Sequence, residues 1–156
     1  MFKWLKSLLQ AAEPAGPPQT IKLFRISDPT ITQGPISVEQ DGWLIDSLEK
    51  QTIRLFEVQN AGFEHCLLTY RARMKTDGLQ GRAFLEMWCG VSGRGEFFSK
   101  GLNQPAKGTS DWAGYDVPFY LQSGQTADRI KLNLVVEGTG KIWIKDVELL
   151  QTPLKS

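Results

Sequence analysis

An alternation of apolar and polar residues at period two, broken by turn residues about every 8–12 positions, constrains this chain more than any other feature. Cys66, Leu68, Tyr70, Ala72 and Met74 alternate with Leu67, Thr69, Arg71, Arg73 and Lys75. Ala83, Leu85, Met87 and Cys89 alternate with Phe84, Glu86 and Trp88. Ile130, Leu132, Leu134 and Val136 alternate with Lys131, Asn133, Val135 and Glu137, and Tyr115, Val117, Phe119 and Leu121 form a further apolar row. Successive side chains of a strand point to opposite faces, so the first set of each pair is expected on a core and the second facing away from it. Strands are expected near 21–26, 36–47, 52–58, 65–75, 81–89, 95–100, 112–121, 129–137 and 141–149, with turns at 28–34, 60–62, 76–78, 90–93, 103–110, 123–126 and 138–140. About nine strands with no long helix between them predict an all-β fold, an antiparallel jelly-roll β-sandwich. With 41% hydrophobic and 22% charged residues, the chain has the composition of an ordinary globular domain rather than of a disordered one.

The start of the chain reads differently. Over residues 1–12, Met1, Phe2, Trp4, Leu5, Leu8, Leu9 and Ala12 fall on one half of a helical wheel, and Lys3, Lys6, Ser7 and Gln10 on the other. This predicts a short basic amphipathic helix with Phe2, Trp4, Leu5, Leu8 and Leu9 as its contact face, toward either a membrane surface or a protein partner. Lys6 interrupts the apolar run and no cleavage-site pattern follows, so the stretch is not read as a secretory signal. The expected location is the cytoplasm, peripheral to a membrane if the helix docks there. Residues 13–19, with three prolines, are expected to form a semi-rigid spacer, which leaves 20–156 as the β-sandwich domain. No apolar run approaches the length of a spanning helix.

Charge and inventory exclude several functions. A balance of 18 basic against 17 acidic residues argues against nucleic acid as a partner. Cys66 and Cys89 lack metal-binding spacing, and His65 is the sole histidine, so no metal site is expected. Each cysteine ends an alternating apolar pattern and is expected as a buried thiol, with a cross-strand disulfide as the alternative. Gly90, Ser92 and Gly93 do not make a nucleophile elbow, and no phosphate-cradling glycine loop or cofactor motif occurs. Glu86 and Glu137 could share one sheet face, but such pairs ordinarily serve cross-strand pairing. The chain is therefore expected not to be an enzyme and to carry no cofactor.

The run GTSDWAGYDVPFYL over 108–121, followed by DRIKLNLVVEGTGKIWIKDVELL over 128–150, resembles the final strands of galactose-binding-like β-sandwich domains, among them carbohydrate-binding modules. The matching positions are Trp112, Tyr115, Gly138, Gly140, Trp143, Asp146 and Val147. Many relatives carry two acidic residues before that valine; here the first is Lys145, and Asp146 alone is a weak ligand for a hard cation. The resemblance implies a non-catalytic binding module.

If the faces are assigned correctly, Arg71, Arg73, Phe84, Glu86, Trp88 and Asn133 project from the core and form the expected ligand-binding set. A sugar ring stacks its C–H face on an aromatic, while its hydroxyls require fixed donors and acceptors. Trp43, Trp112 and Trp143 are expected to pack structurally, the latter two in the core. Two functions follow: binding of a saccharide or polyol on this outer face, or a cytoplasmic interaction or assembly domain tethered through its N-terminal helix.

Overall fold

The computed structural model describes residues 13–155. The helix expected over 1–12, with its contact face, lies outside the described residues. The strands are β1 (Gln19–Leu23), β2 (Ile36–Val38), β3 (Gly42–Ser47), β4 (Gln51–Val91), β5 (Gly95–Lys100) and β6 (Ala106–Pro153). All pairing between them is antiparallel, and the sheet does not close on itself. The all-β, antiparallel expectation therefore holds.

The continuous strands number fewer than the nine expected, because chain expected to turn stays extended and paired instead. β4 and β6 are long ribbons that pass from one layer to the other without losing their partnership. In the front layer, residues 51–59 and 82–91 of β4 flank residues 127–137 of β6, and β5 pairs outside 86–91. In the back layer, residues 66–77 of β4 lie between 108–121 and 141–153 of β6, with β3 and β1 paired along β6 and β2 outside β3. The positions expected as turns at 60–62, 76–78 and 138–140 are where the pairing register shifts as the ribbon bends.

The bend at 78–82 against 137–140 explains two glycines. Gly81 pairs with Gly138, and Gly81 has a φ of 91°, in the left-handed region that favours glycine. A Cβ on Gly138 would collide with the Gln80 carbonyl, and one on Gly81 with that of Glu137. The corner closes only because both side chains are absent.

One expected strand, 36–47, is instead the hairpin of β2 and β3. Glu39, Gln40 and Asp41 turn the chain, and the Glu39 N–H donates to the Gly42 carbonyl at 2.8 Å. At the other end, the segment expected as a spacer is partly tied down. Pro14 bridges Leu154, and the Ala15 and Lys155 amides donate to Pro153 and Glu13 carbonyls at 2.7 and 2.9 Å.

The inward rows assigned from alternation meet in one core. Cys66, Leu68, Tyr70, Ala72 and Met74 from the back layer face Ala83, Leu85, Met87, Cys89, Ile130, Leu132, Leu134 and Val136 from the front, all essentially inaccessible to solvent. Burying a leucine, isoleucine, valine or methionine of this set contributes roughly 1.5–3 kcal/mol, which makes the two-layer packing the main source of stability. Trp43 joins this core and meets Phe56 edge-on at 5.4 Å, while Phe56 stacks on Phe24 at 4.1 Å. Tyr115 and Phe119 pack against the core from its margin, only partly buried.

Trp112 and Trp143 depart from expectation. Trp143 sits between inward-facing Ile142 and Ile144 and pairs across from Lys75, so it stands on the outer surface of the back layer, half-buried. The Lys75 Nζ lies 4.8 Å from the Trp143 ring and 5.4 Å from that of Trp112, and the Lys145 Nζ lies 4.2 Å from Trp112. These tryptophans pack under lysines rather than in the core, each cation held by the electron-rich ring face.

Candidate functional site

The same alternation that fills the core aims Glu86 and Trp88 of β4, Asn133 and Lys131 of β6, and Phe98 and Lys100 of β5 at the outer surface of the front layer. Register then makes neighbours of them. Glu86 pairs with both Asn133 and Lys100, and Trp88 with both Lys131 and Phe98.

Glu86 organises this surface. It is only 6% exposed, as is Asn133. One carboxylate oxygen, Oε1, accepts from the Trp88 indole N–H at 2.8 Å and from the Asn133 amide at 2.9 Å. The other, Oε2, lies 3.7 Å from the Lys100 ammonium. A buried carboxylate is tolerated when its lone pairs are occupied and a cation is near. Here that arrangement fixes the tilt of an indole and the orientation of an amide. Trp88 is half-buried, and its ring lies 5.1 Å from that of Phe98 at an interplanar angle of 54°. Phe98 is 53% exposed and lies beneath the Lys100 ammonium at 4.6 Å.

Thr52, Arg54, Glu86, Trp88, Glu96, Lys131 and Asn133 line an open depression of about 420 Å³ on this surface. Lys131 and Glu96 pair at 3.0 Å on its rim. Arg54 has no carboxylate partner among the described residues, which leaves its guanidinium donors available. The depression therefore combines an aromatic wall with a donor fork, an ammonium and a carboxylate. A larger depression, about 500 Å³, lies beside Pro35, Ile36, Leu48 and Gln51, but it has no aromatic lining.

The expected ligand set does not assemble whole. Glu86, Trp88 and Asn133 come together as described. Phe84 lies on the same surface but is buried, with the Arg82 guanidinium 5.4 Å from its ring. Arg82 in turn is paired with Glu137, so the arginine stays over the ring and a ligand cannot stack there. Arg71 and Arg73 belong to the back layer, on the opposite side of the core from Trp88. Arg71 pairs with Glu148 at 3.6 Å. Alternation shows that a residue points outward; only pairing shows from which layer, and the two arginines lie in the other one. Glu86 and Glu137 share the front surface, with Glu86 committed to Trp88 and Asn133 and Glu137 to Arg82.

Arg54, Glu96 and Phe98 were not among the expected residues. A signal for the last two exists in the sequence. The three-residue loop Ser92, Gly93 and Arg94 pairs Val91 with Gly95, and counting back from it sets Trp88 opposite Phe98 and Gly90 opposite Glu96. Nothing local marks Arg54, which reaches the site through pairing with a residue 79 positions away, Asn133.

The two thiols are free and buried. Burial pushes Cys66 up from 9.0 to about 11, partly offset by its hydrogen bond with Gln151. It pushes Cys89 up to about 12, with the neighbouring Cys66 adding to the effect. Neither is an activated nucleophile, since reactivity requires the thiolate. Among the described residues no three His, Cys, Asp or Glu side chains gather as metal ligands would.

No protein-family model matches the sequence, and no curated protein does either. Solved structures do match. The chain is similar to a family 16 carbohydrate-binding module, with a TM-score of 0.54 at 10% identity over 74% of this chain and 84% of that one. It is also similar to the CBM22-1 xylan-binding domain of Paenibacillus barcinonensis Xyn10C, with a TM-score of 0.55 at 9% identity over 90% and 99% of the two chains. The chain thus has the β-sandwich fold of carbohydrate-binding modules, as the resemblance in its sequence implied. At such identities the likeness defines the fold, and function has to be argued from the site.

Proposed function

We propose that the protein is a non-catalytic binding module that holds a saccharide on the outer surface of its front layer, in the depression lined by Arg54, Trp88, Lys131 and Asn133. The observation that carries this reading is the Glu86 carboxylate, which locks the Trp88 indole and the Asn133 amide in place beside an aromatic ring left half open to solvent. A ring whose orientation is fixed beforehand loses little entropy when a sugar stacks on it. Arg54, Lys131 and Glu96 then present donors and an acceptor around the stacked ring, where hydroxyls would sit. Exposed and open, the depression suits a chain that passes across it rather than a small molecule that needs enclosure. The fold shared with a xylan-binding domain supports the same class of ligand.

Isothermal titration of the full chain with a panel of neutral and acidic oligosaccharides tests this. At least one is expected to bind, and Arg54→Ala to weaken it by about 10-fold or more, as expected for a charged hydrogen bond of 1.5–3 kcal/mol. Binding that is indifferent to both Arg54→Ala and Trp88→Ala would move the site elsewhere.

A further inference from the structure

We propose that two copies of this chain associate edge to edge through β5, pairing antiparallel about a two-fold axis at Phe98. β5 is the last strand of the front layer. It pairs with β4 on one side, and among the described residues no strand pairs with its other side. An open strand edge is a template for another strand unless it is blunted, commonly by charge.

The sequence of this edge, Gly95-Glu96-Phe97-Phe98-Ser99-Lys100, carries two charges of opposite sign, placed symmetrically about Phe98. Antiparallel pairing of two copies centred on Phe98 sets Glu96 of each opposite Lys100 of the other, and Phe98 opposite Phe98. Within one chain Glu96 already faces Lys131 and Lys100 faces Glu86; across the axis each gains a second opposite charge, which favours the contact with a second copy, whereas two like charges would oppose it. Glu96, Phe98 and Lys100 all point to the outer surface, so both ion pairs and the aromatic pair form on one side of the joined sheet.

Exposure points to the same occupant. Phe97 pairs with Cys89, whose side chain is fully buried, so it lies on the core side of the sheet, yet it is 45% exposed because nothing covers the layer beyond β5. Leu102, just past the strand, is 48% exposed. A second copy would cover Phe97, Phe98 and Leu102 together. The contact is smaller than a standard interface of roughly 800 Å² per partner, so association in the range of roughly 10–100 µM is expected.

This inference stands apart from the saccharide reading, and its test needs no ligand. Sedimentation velocity of the full chain from about 5 to 500 µM, a range that brackets the expected affinity, should show a monomer giving way to a dimer. Glu96→Lys strands carry two cations and Lys100→Glu strands two anions, so each variant alone should stay monomeric while an equimolar mixture forms a heterodimer. Recovery in the mixture separates intermolecular pairing from misfolding, and circular dichroism of each variant checks the fold independently. A wild-type chain that is monomeric throughout the range would overturn the proposal. So would a dimer that both charge reversals leave intact, or a mixture that remains monomeric. The Gly101 amide donates to Leu85 of β4, so the alternate amides of Glu96, Phe98 and Lys100 face the open edge; protection of these three from hydrogen exchange in a monomeric chain would mean that another segment covers the edge, which also overturns it.

Discussion

Glu86 concentrates the chemistry of the front surface in one side chain. Its Oε1 accepts two hydrogen bonds, and one donor, the Asn133 amide, is itself buried. Replacing it by alanine would leave that amide and the Trp88 indole N–H without an acceptor. An unsatisfied buried donor costs about 1–3 kcal/mol, so Glu86→Ala is expected to lower stability by about 2–3 kcal/mol in urea unfolding. Glu86→Gln keeps an acceptor oxygen at the same place and is expected to recover most of the loss. Equal destabilisation by both variants would mean that the charge facing Lys100 dominates, rather than the shared acceptor. The buried core groups respond to pH instead. Cys66 and Cys89 titrate near 11 and 12 in the folded chain against 9.0 ordinarily, and burial also raises Tyr70, with Glu86 adding to it. These groups bind their protons more tightly when folded. Their contribution is therefore complete below about pH 9 and is lost as pH rises through 11 to 12. Urea midpoints are expected to fall steeply across that window, and less steeply for the Cys66→Ala/Cys89→Ala variant. A slope that is the same in both would exclude the thiols as the cause.

At the scale of the elements, alternation was legible and pairing was not. The period-two rows of 66–74, 83–89 and 130–136 give the inward faces correctly, because burial on one face of a strand leaves a direct mark on composition. Trp112 and Trp143 show where that mark is weak. Each is an apolar residue in an alternating stretch, and only the neighbouring Lys75 and Lys145 reveal that it packs outside the core. Assignment to a layer depends on hydrogen-bond partners far along the chain, which is why alternation alone puts Arg71 and Trp88 on one surface while they lie on two. The ribbon bend is the element-scale feature most sensitive to mutation. Gly138→Ala would drive a methyl group into the Gln80 carbonyl, where the backbone of both ribbons must give way. Overpacking against backbone places the expected loss at the upper end of the usual 1–3 kcal/mol or beyond. Gly124→Ala, at an open bend with no atom near a new Cβ but a φ of 83°, is expected to cost less. Comparable losses at the two positions would mean that the ribbons yield at Gly138, so that close approach there costs no more than the strained φ at Gly124.

For the molecule as a whole, two layers sharing a core present two outer surfaces of different character. The back surface covers its tryptophans with lysines and commits Arg71 to Glu148. The front surface leaves Phe98 half open, holds Trp88 by its indole nitrogen and keeps Arg54 free of carboxylates among the described residues. Edge pairing through β5 would set two such front surfaces side by side, with the Phe98 rings at the seam, and a long ligand could then cross both. The central claim is that the front surface, and not the back, holds the saccharide. It is tested most directly by affinity electrophoresis through gels containing soluble polysaccharides, with Trp88→Ala and Arg71→Ala run beside the wild-type chain. The account predicts retardation by at least one polysaccharide that Trp88→Ala abolishes and Arg71→Ala leaves unchanged. Retardation lost with Arg71→Ala but kept with Trp88→Ala would place the ligand on the opposite surface, and no retardation in any gel would contradict the saccharide reading itself.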